Sequence, residues 1–397
     1  MSDIALPSAP PTQRIRSVDI ARGAVMVLMA IDHVRVFSGV PAGGVTAGIF
    51  LTRWVTNFCA PAFVFFAGVS IFLHGQKLQD LNAQSRWLIL RGAWLVLLEL
   101  TFLRVAWTFN ADFAHYMLAG VIWMLGWCMI LMGLLVRLPV WANAVFGVAV
   151  IAGHNIIPLI LGGSAQSITN GSLGWLWRIL YFGGGITVGG ATEPNFFVLY
   201  SIIPWIGVMS AGYAFGVILR MPPERLDRIC YLIGGGAILA FLLLRYFNIY
   251  GDRPWVLRPQ IPAWISFLNT SKYPASLLFL LMTLGPTIAV LPLLEKARGR
   301  MPGWLTVFGR APLFYYLLHI PLIHAVAVGI SLVRTPSATG WLFTNHPVRP
   351  GDLPEGYTWS LGLLYLVTAI VVIALYFVCR RFAEFKARRK DWWLSYL

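Results

Sequence analysis

Two ionisable residues in the first apolar stretch share one helix face. In RSVDIARGAVMVLMAIDHVRVF (16–37), His33 follows Arg22 by eleven positions. On an α-helix this interval is about three turns, so both side chains face the same way and lie about 16 Å apart along the axis. An imidazole is suited to proton transfer near neutral pH. Ionisable groups at membrane depth face a protein interior or a water-filled cavity, so the pattern predicts a polar cavity along this helix.

Two carboxylates accompany this pair. Asp19 precedes Arg22 by three residues and can pair with it on the helix surface. Asp32 adjoins His33 in sequence and points about 100° away from it, close enough to line the same cavity. A structural interpretation stays open, in which Asp19 and Arg22 anchor the helix end at the membrane surface and His33 is a hydrogen-bonded core residue.

Further polar residues lie in other apolar stretches. Glu99 falls near the middle of a predicted span and requires a partner; Arg104 is poorly placed within the same helix, so a partner on another helix is expected. A buried ion pair that fixes helix packing is as good an interpretation as a catalytic one. The remaining candidates for a supporting polar network are Asp112, His115, Arg310, Tyr315 and His319.

The composition requires a membrane environment for these residues. The chain of 397 residues is 58% hydrophobic and 11% charged, and its mean hydropathy is +0.73. Soluble domains carry about 25% charged residues. The predicted fold class is an all-α polytopic membrane helix bundle with about ten transmembrane helices. The ten predicted spans are 17–37, 54–73, 87–107, 114–136, 140–161, 196–219, 229–248, 274–294, 304–333 and 358–379.

The net charge of +15 raises the question of nucleic-acid binding, but the positions of the charges argue against it. With the N-terminus inside, most Lys and Arg residues fall in inner loops and in the C-terminal tail. The outer loops hold fewer, Lys272 among them. This positive-inside asymmetry predicts cytoplasmic termini and a multi-pass protein of the cell's inner membrane, with no nucleic-acid partner.

The predicted organisation is simple. Residues 1–13 are a disordered cytoplasmic leader, 14–381 form one integral membrane domain, and 382–397 form a basic, Trp-containing tail on the lipid surface. The four cysteines lack metal-ligand spacing, and the seven histidines are scattered without a motif such as HExxH. The sequence therefore predicts neither a disulfide framework nor a metal site.

Several stretches resemble one enzyme family. RIRSVDIARGAVMVLMAIDH (14–33) and FCAPAFVFFAGVSIFL (58–73) are similar to the bacterial relatives of heparan-α-glucosaminide N-acetyltransferase. SIIPWIGVMSAGYAFG (201–216), KYPASLLFLLMTLGP (272–286) and FGRAPLFYYLLHIPLIH (308–324) extend the resemblance through nearly the whole chain. The spacing of Arg22 and His33 also resembles the signature of the wider transmembrane acyltransferase group.

The resemblance implies transfer of an acetyl or other acyl group from cytoplasmic acyl-CoA to an amino sugar or other glycan acceptor at the outer face. The chain departs from the lysosomal enzyme, which has a lumenal N-terminal domain and a histidine in the first outer loop. Here that loop is SGVPAGGVTAGIF, without histidine. Where this chain has His33, the lysosomal enzyme has asparagine, so the catalytic role comes to His33 through the wider arginine–histidine pattern.

On this reading, His33 is the general base, and Asp32 or Asp112 holds its ring in the required tautomer. Coenzyme A would enter from the cytoplasm and run along the first helix, its phosphates held at a basic rim. The residues predicted for this donor site are Arg14, Arg16, Asp19 and Arg22. A covalent acyl-histidine intermediate, a proton-coupled transporter or channel, and an inactive scaffold are the alternatives, and a homodimer is one option for the assembly.

Overall fold

The structure is a computed structural model that describes residues 15–44, 46–347, 353–389, 391 and 393–394. The predicted leader and Arg14 lie outside the described residues. The chain is mainly helical, which confirms the predicted fold class at that level. The helices are α1 (Arg16–Ser38), α2 (Ala47–Trp54), α3 (Cys59–Leu78), α4 (Leu81–Leu98), α5 (Arg104–Thr108), α6 (Val121–Leu135), α7 (Val140–Gly153), α8 (Ile156–Leu161), α9 (Ala165–Asn170), α10 (Gly174–Trp177), α11 (Ile203–Ile218), α12 (Pro223–Tyr246), α13 (Ala263–Leu268), α14 (Leu277–Ala289), α15 (Leu291–Lys296), α16 (Arg300–Arg310), α17 (Pro312–Arg334) and α18 (Leu361–Arg388).

Short irregular helices join some of these elements. A 3₁₀ turn, Val55–Phe58, connects α2 to α3, and a π-helical turn, Glu99–Leu103, connects α4 to α5. Further such turns are the 3₁₀ segments Gly162–Ser164 and Pro336–Phe343 and the π segment Arg178–Phe182. Helices α4 and α5 therefore continue one another with a bulge between them, at the position of Glu99.

Five helical stretches are long and apolar enough to cross a membrane, among the residues that the structure describes. Each overlaps a predicted span. They are Ala47–Leu78, Pro223–Tyr246, Leu277–Lys296, Pro312–Arg334 and Leu361–Arg388. Three shorter apolar helices, α6, α7 and α11, coincide with further predicted spans. Helix α1 has the length of a span, with 23 residues, but carries several charged side chains.

A small sheet replaces helix at two predicted spans. Strand β1 (Met117–Ala119) pairs in parallel with β3 (Phe196–Val198), and β2 (Gly184–Ile186) pairs with β3 in antiparallel fashion. The spans predicted to start at 114 and 196 therefore begin as strands, and their helices start later, at Val121 and Ile203. Short apolar runs fit a buried strand as well as a helix, so hydropathy alone misassigned these starts.

Proline divides the long block 304–333. Helix α16 ends at Arg310 and α17 begins at Pro312. Proline lacks a backbone N–H and its fixed φ suits the first helical position, so it starts a helix here. Pro321 lies inside α17 without ending it. The block predicted as one span is therefore a short helix, α16, followed by a helix long enough to cross a membrane, α17.

Helix α1 lies inside the bundle. It packs most extensively on α16 and also contacts α3, α15, α17 and α18. Its closest approach to α16 is backbone to backbone: a Cβ on Gly23 would lie 1.8 Å from the Leu305 carbonyl oxygen, and one on Gly309 would lie 1.9 Å from the Asp19 oxygen. Small residues allow membrane helices to approach this closely. The two glycines therefore set the position of α1.

The ends of α1 define two faces of the bundle. We call the end at Arg16 the first face and the end at Ser38 the second face. At the first face, Glu295 of α15 accepts a hydrogen bond from the Ser17 amide at 2.7 Å. At the second face, the Trp359 amide donates to the Ser38 carbonyl at 2.9 Å. The predicted tail (382–397) begins within α18, which runs to Arg388.

Candidate functional site

Two histidines meet at the centre of the bundle. Nδ1 of His33 on α1 lies 2.5 Å from Nε2 of His319 on α17, and the two rings stack with centroids 4.7 Å apart. His319 is fully buried and His33 is 9% exposed. The pair joins residues 286 positions apart in the chain. It brings together two of the residues that the sequence singled out separately.

The hydrogen bonds of His319 determine the tautomer of both rings. Nδ1 of His319 lies 2.7 Å from the Tyr316 carbonyl oxygen and 3.1 Å from that of Tyr315. Carbonyl oxygens only accept, so Nδ1 carries the proton and Nε2 of the neutral ring is an acceptor. His33 must then donate from Nδ1. The lone pair of His33 is therefore on Nε2, the nitrogen that a general base uses.

Aromatic side chains surround the two rings. Trp107 of α5 meets His33 edge to face at 4.8 Å, and Tyr316 does so at 6.1 Å. Tyr315 stacks on His319 at 5.2 Å, as its spacing of four residues predicts. The ring of His33, on α1, therefore faces the interior of the bundle. Its orientation is fixed by packing as well as by the hydrogen bond to His319.

Asp32 does not hold the His33 ring. Its Oδ1 accepts hydrogen bonds from Nε and Nη2 of Arg35, at 3.1 and 3.0 Å. The predicted orienting contact of Asp32 is therefore corrected, because Arg35 lies one turn away on the same helix and takes the carboxylate. The orienting contact is made by His319.

Lys272 was assigned above to an outer loop, but its side chain is only 7% exposed. Its Nζ lies over the ring of Tyr273 at 5.4 Å and interacts electrostatically with Asp32 and His33. The Tyr273 hydroxyl donates to the hydroxyl of Tyr200 at 3.3 Å. Sequence reasoning missed these three residues, and the only signal was the resemblance of the stretch KYPASLLF.

Glu99 caps a neighbouring helix. Its Oε2 accepts from the backbone amides of Ile122 at 3.0 Å and Trp123 at 3.3 Å, in the first turn of α6. The carboxylate is 2% exposed and satisfies amides that have no partner within their own helix. The predicted partner on another element is confirmed, and it is backbone instead of a cation.

Replacing Glu99 by alanine is expected to lower the midpoint of thermal unfolding in detergent by several degrees. Two buried amides would lose their acceptor, and each unsatisfied group costs about 1–3 kcal/mol. Thr101→Ala is the matched control, because Thr101 is exposed in the same π segment. Equal midpoints for the two variants would show that the cap contributes nothing.

Arg104 fastens the loop that follows α5. Its guanidinium donates to the carbonyls of Tyr116 at 2.6 Å and Asp112 at 2.6 Å and to the side chain of Asn110 at 2.8 Å; it also contacts Thr108. The side chain is 1% exposed. Arg104 therefore has a structural role, one turn from Trp107. It ties the loop after α5 to α5 itself, the helix that packs on His33.

Asp112 and His115 lie on that loop and away from the His33 ring. His115 Nδ1 is 2.7 Å from Asp112 Oδ1, and the His115 side chain is 77% exposed. Although partial burial acts to raise it, the pKa of the Asp112 carboxyl is lowered by hydrogen bonds from His115. His115 also lines a surface cavity of about 750 Å³ with residues of the 188–196 segment. The structure gives Asp112 no contact with His33, so its predicted orienting role is corrected as well.

The predicted donor-site residues that the structure describes lie at the first face. Arg22 donates from Nη2 to the Phe66 carbonyl at 2.5 Å and to the hydroxyl of Ser70, and so bridges α1 to α3. Asp19 is buried beside Gly309. Arg16 is partly exposed at the start of α1. Arg310, predicted as part of the polar network, is exposed at the end of α16 and is not among the residues around His33.

His324 is a structural histidine. Its two ring nitrogens lie 3.0 Å from the Ala106 carbonyl oxygen and 2.9 Å from that of Leu342. Its ring stacks between Phe109 at 3.7 Å and Phe37 at 4.7 Å. With both nitrogens occupied by backbone, this ring holds the second face together and offers no free nitrogen for catalysis. Elsewhere among the described residues, no group of three His, Cys, Asp or Glu side chains could hold a metal ion.

The fold and the site together define a class: a multi-pass helical membrane protein with a hydrogen-bonded pair of buried histidines at its centre. Comparison with known families makes the class specific. The family model described as heparan-alpha-glucosaminide N-acetyltransferase, catalytic, matches residues 14–246. The chain belongs to this family of membrane acetyltransferases, as the resemblance of its motifs predicted. A search of curated proteins gave no match. The matched range contains His33 but ends before Lys272 and His319.

Proposed function

We propose that the chain transfers an acetyl group from acetyl-CoA to an amino sugar or another glycan acceptor, with Nε2 of His33 as the general base. The observation that carries this proposal is the hydrogen bond from His33 to His319. That bond leaves a lone pair on Nε2 in a ring fixed by Trp107 and Tyr316. Family membership favours this function over a proton-coupled transporter, which no observation supports.

We place the acetyl-CoA donor at the first face. The distribution of Lys and Arg predicts that this face lies on the cytoplasmic side of the inner membrane. Arg16 is partly exposed there and Arg310 is exposed. A guanidinium binds phosphate in a bidentate fashion, so these side chains suit the phosphates of coenzyme A. Arg22 lies deeper, on the same helix face as His33, and would line the path of the pantetheine arm. The distance of about 16 Å from Arg22 to His33 along α1 is similar to the length of that arm.

We place the acceptor at the second face. The cavity of about 750 Å³ lined by His115 and Glu193 opens in the loop that Arg104 ties to α5. Its volume falls within the range of about 300–1,000 Å³ that is typical of small-molecule sites. Its polar and aromatic lining suits a sugar. An acceptor amine passing from there to His33 would meet the thioester deep in the bundle.

In the proposed reaction, the acceptor nitrogen attacks the thioester carbonyl carbon while His33 Nε2 removes its proton. In the resulting imidazolium, the Nδ1–H of His33 still donates to Nε2 of His319. This hydrogen bond stabilises the positive charge. Collapse of the tetrahedral intermediate breaks the C–S bond, and the CoA thiolate takes the proton from Nε2. Free CoA and the acetylated acceptor leave, and His33 returns to its starting tautomer.

The direct test is transfer by the purified protein in detergent or nanodiscs. With ¹⁴C-acetyl-CoA and a panel of amino sugars, we expect a labelled product and stoichiometric release of CoA thiol. A set of hydroxyl acceptors separates N- from O-acetylation. Proton-coupled solute uptake by the reconstituted protein, without any turnover of acetyl-CoA, would instead support a transporter.

His319 is expected to matter through the tautomer of His33. His319→Leu removes the acceptor for His33 Nδ1, and kcat should fall by about 10²-fold, the lower range for loss of acid–base catalysis. His319→Gln offers an amide oxygen to the same donor and should recover part of kcat. Tyr315→Phe is the matched control, because the buried Tyr315 hydroxyl has no hydrogen-bond partner in the described part of the chain. Equal activities of the Leu and Gln variants would contradict the positioning role.

A further inference from the structure

Lys272 is a buried cation without a hydrogen-bond acceptor. The side chain is 7% exposed, and within the part of the chain that the structure describes no oxygen accepts a hydrogen bond from its Nζ. Its Nζ lies over the face of the Tyr273 ring, 5.4 Å from the centroid. A buried ammonium is costly unless a partner satisfies it. Lys272 therefore retains three donors for a group that the folded chain does not supply.

This ammonium lies within electrostatic range of His33. Lys272 interacts electrostatically with Asp32, His33 and Cys59, which lie on α1 and at the start of α3. Asp32, a carboxylate that interacts electrostatically with Lys272, is already hydrogen-bonded to Arg35. Since Asp32 forms its ion pair elsewhere, it leaves the Lys272 donors available.

The backbone around Lys272 is held in place. Lys272 forms an isolated antiparallel bridge with Ala275, just before α14 begins. The Ser276 side chain caps α14 by accepting from the Phe279 amide at 3.0 Å. Tyr273 is tied to Tyr200 through their hydroxyls. A cation on a fixed backbone has the preorganisation that transition-state stabilisation needs.

We propose that Lys272 stabilises the oxyanion of the tetrahedral intermediate; this inference rests on the proposed function. When the acceptor nitrogen forms its bond to the thioester carbon, the π electrons of the C=O bond move to oxygen, and Nζ donates a hydrogen bond to that oxyanion. His33 holds the proton removed from nitrogen. The C=O bond then re-forms, the C–S bond breaks, and the departing thiolate takes the proton from His33. Lys272 thus keeps its own proton throughout.

The test compares Lys272→Met, Lys272→Gln and Lys272→Arg with the wild type, and Lys77→Met serves as control because Lys77 is exposed at the end of α3. For Lys272→Met we expect kcat to fall by about 10²–10³-fold, the usual loss on removing one oxyanion donor. The KM for acetyl-CoA should stay close to that of the wild type. Lys272→Arg restores a cationic donor and should recover part of kcat, which a merely structural role would not predict.

Each outcome of these assays either supports or contradicts the proposed role of Lys272. A folded Lys272→Met or Lys272→Gln protein with wild-type kcat overturns the inference. If Lys272→Met does not fold, a folded Lys272→Gln protein gives the same decision, since glutamine keeps polarity but loses the charge. A wild type that transfers no acetyl group overturns the proposed function together with this inference, whereas an active wild type with active Lys272 variants overturns the role of Lys272 alone.

Discussion

Replacing His33 by glutamine is expected to lower kcat for acetyl transfer by at least about 10²-fold, the usual contribution of a positioned general base. Glutamine has a similar size and can still donate to His319, but its amide cannot take up a proton. Binding of acetyl-CoA should persist, because the predicted phosphate contacts, Arg16 and Arg310, lie at the first face, beyond Arg22, which is itself about 16 Å from His33. Stopped-time assays of CoA release, together with calorimetric titration of acetyl-CoA, measure the two quantities separately.

The control for this prediction is His154→Gln. His154 is also buried, at the end of α7, but neither of its ring nitrogens has a hydrogen-bond partner among the residues that the structure describes. The variant should keep wild-type kcat. A His33→Gln protein that turns over as fast as His154→Gln would remove His33 from the reaction. Mass spectrometry of protein quenched with acetyl-CoA alone tests the covalent route, since an acetyl group on His33 would indicate an acyl-histidine intermediate.

Replacing Gly309 by alanine is expected to give the largest loss of stability. The new Cβ would lie 1.9 Å from the Asp19 carbonyl oxygen, and that neighbour is helix backbone that cannot rotate away. Helices α1 and α16 would have to separate, and overpacking of this kind costs about 1–3 kcal/mol or more. Activity should fall too, because displacement of α1 moves His33 relative to His319. Gly23→Ala meets the Leu305 oxygen at 1.8 Å and should behave alike.

Gly303→Ala is the matched control for both glycine variants. It lies in the same helix α16, and a Cβ there meets nothing within 4 Å. Alanine at an open helical position is neutral or slightly stabilising. Size-exclusion profiles and thermal unfolding in one detergent compare the three variants directly. Indistinguishable midpoints for Gly309→Ala and Gly303→Ala would show that α1 and α16 do not cross as closely as described.

The sequence by itself determined the class of this protein. Its hydropathy required membrane helices, because apolar stretches of that length need lipid or protein around them. Its motifs identified the family and singled out His33 on α1, and Pro312 marked the break between α16 and α17. All of these features are local: a helix period, a run of apolar residues, a short motif or one residue's backbone chemistry. The orientation of the termini stays a prediction.

Tertiary structure decided which polar groups meet. The partner of His33 is His319, 286 positions away, and the partner of Glu99 is the first turn of α6. Lys272 is buried within electrostatic range of His33, although its position before a span suggested an outer loop. Periodicity reports which side of a helix is apolar, but it carries no information on which helix lies opposite. Partners across such distances follow from the packing of the whole bundle, and here that packing depends on the close contact of α1 with α16.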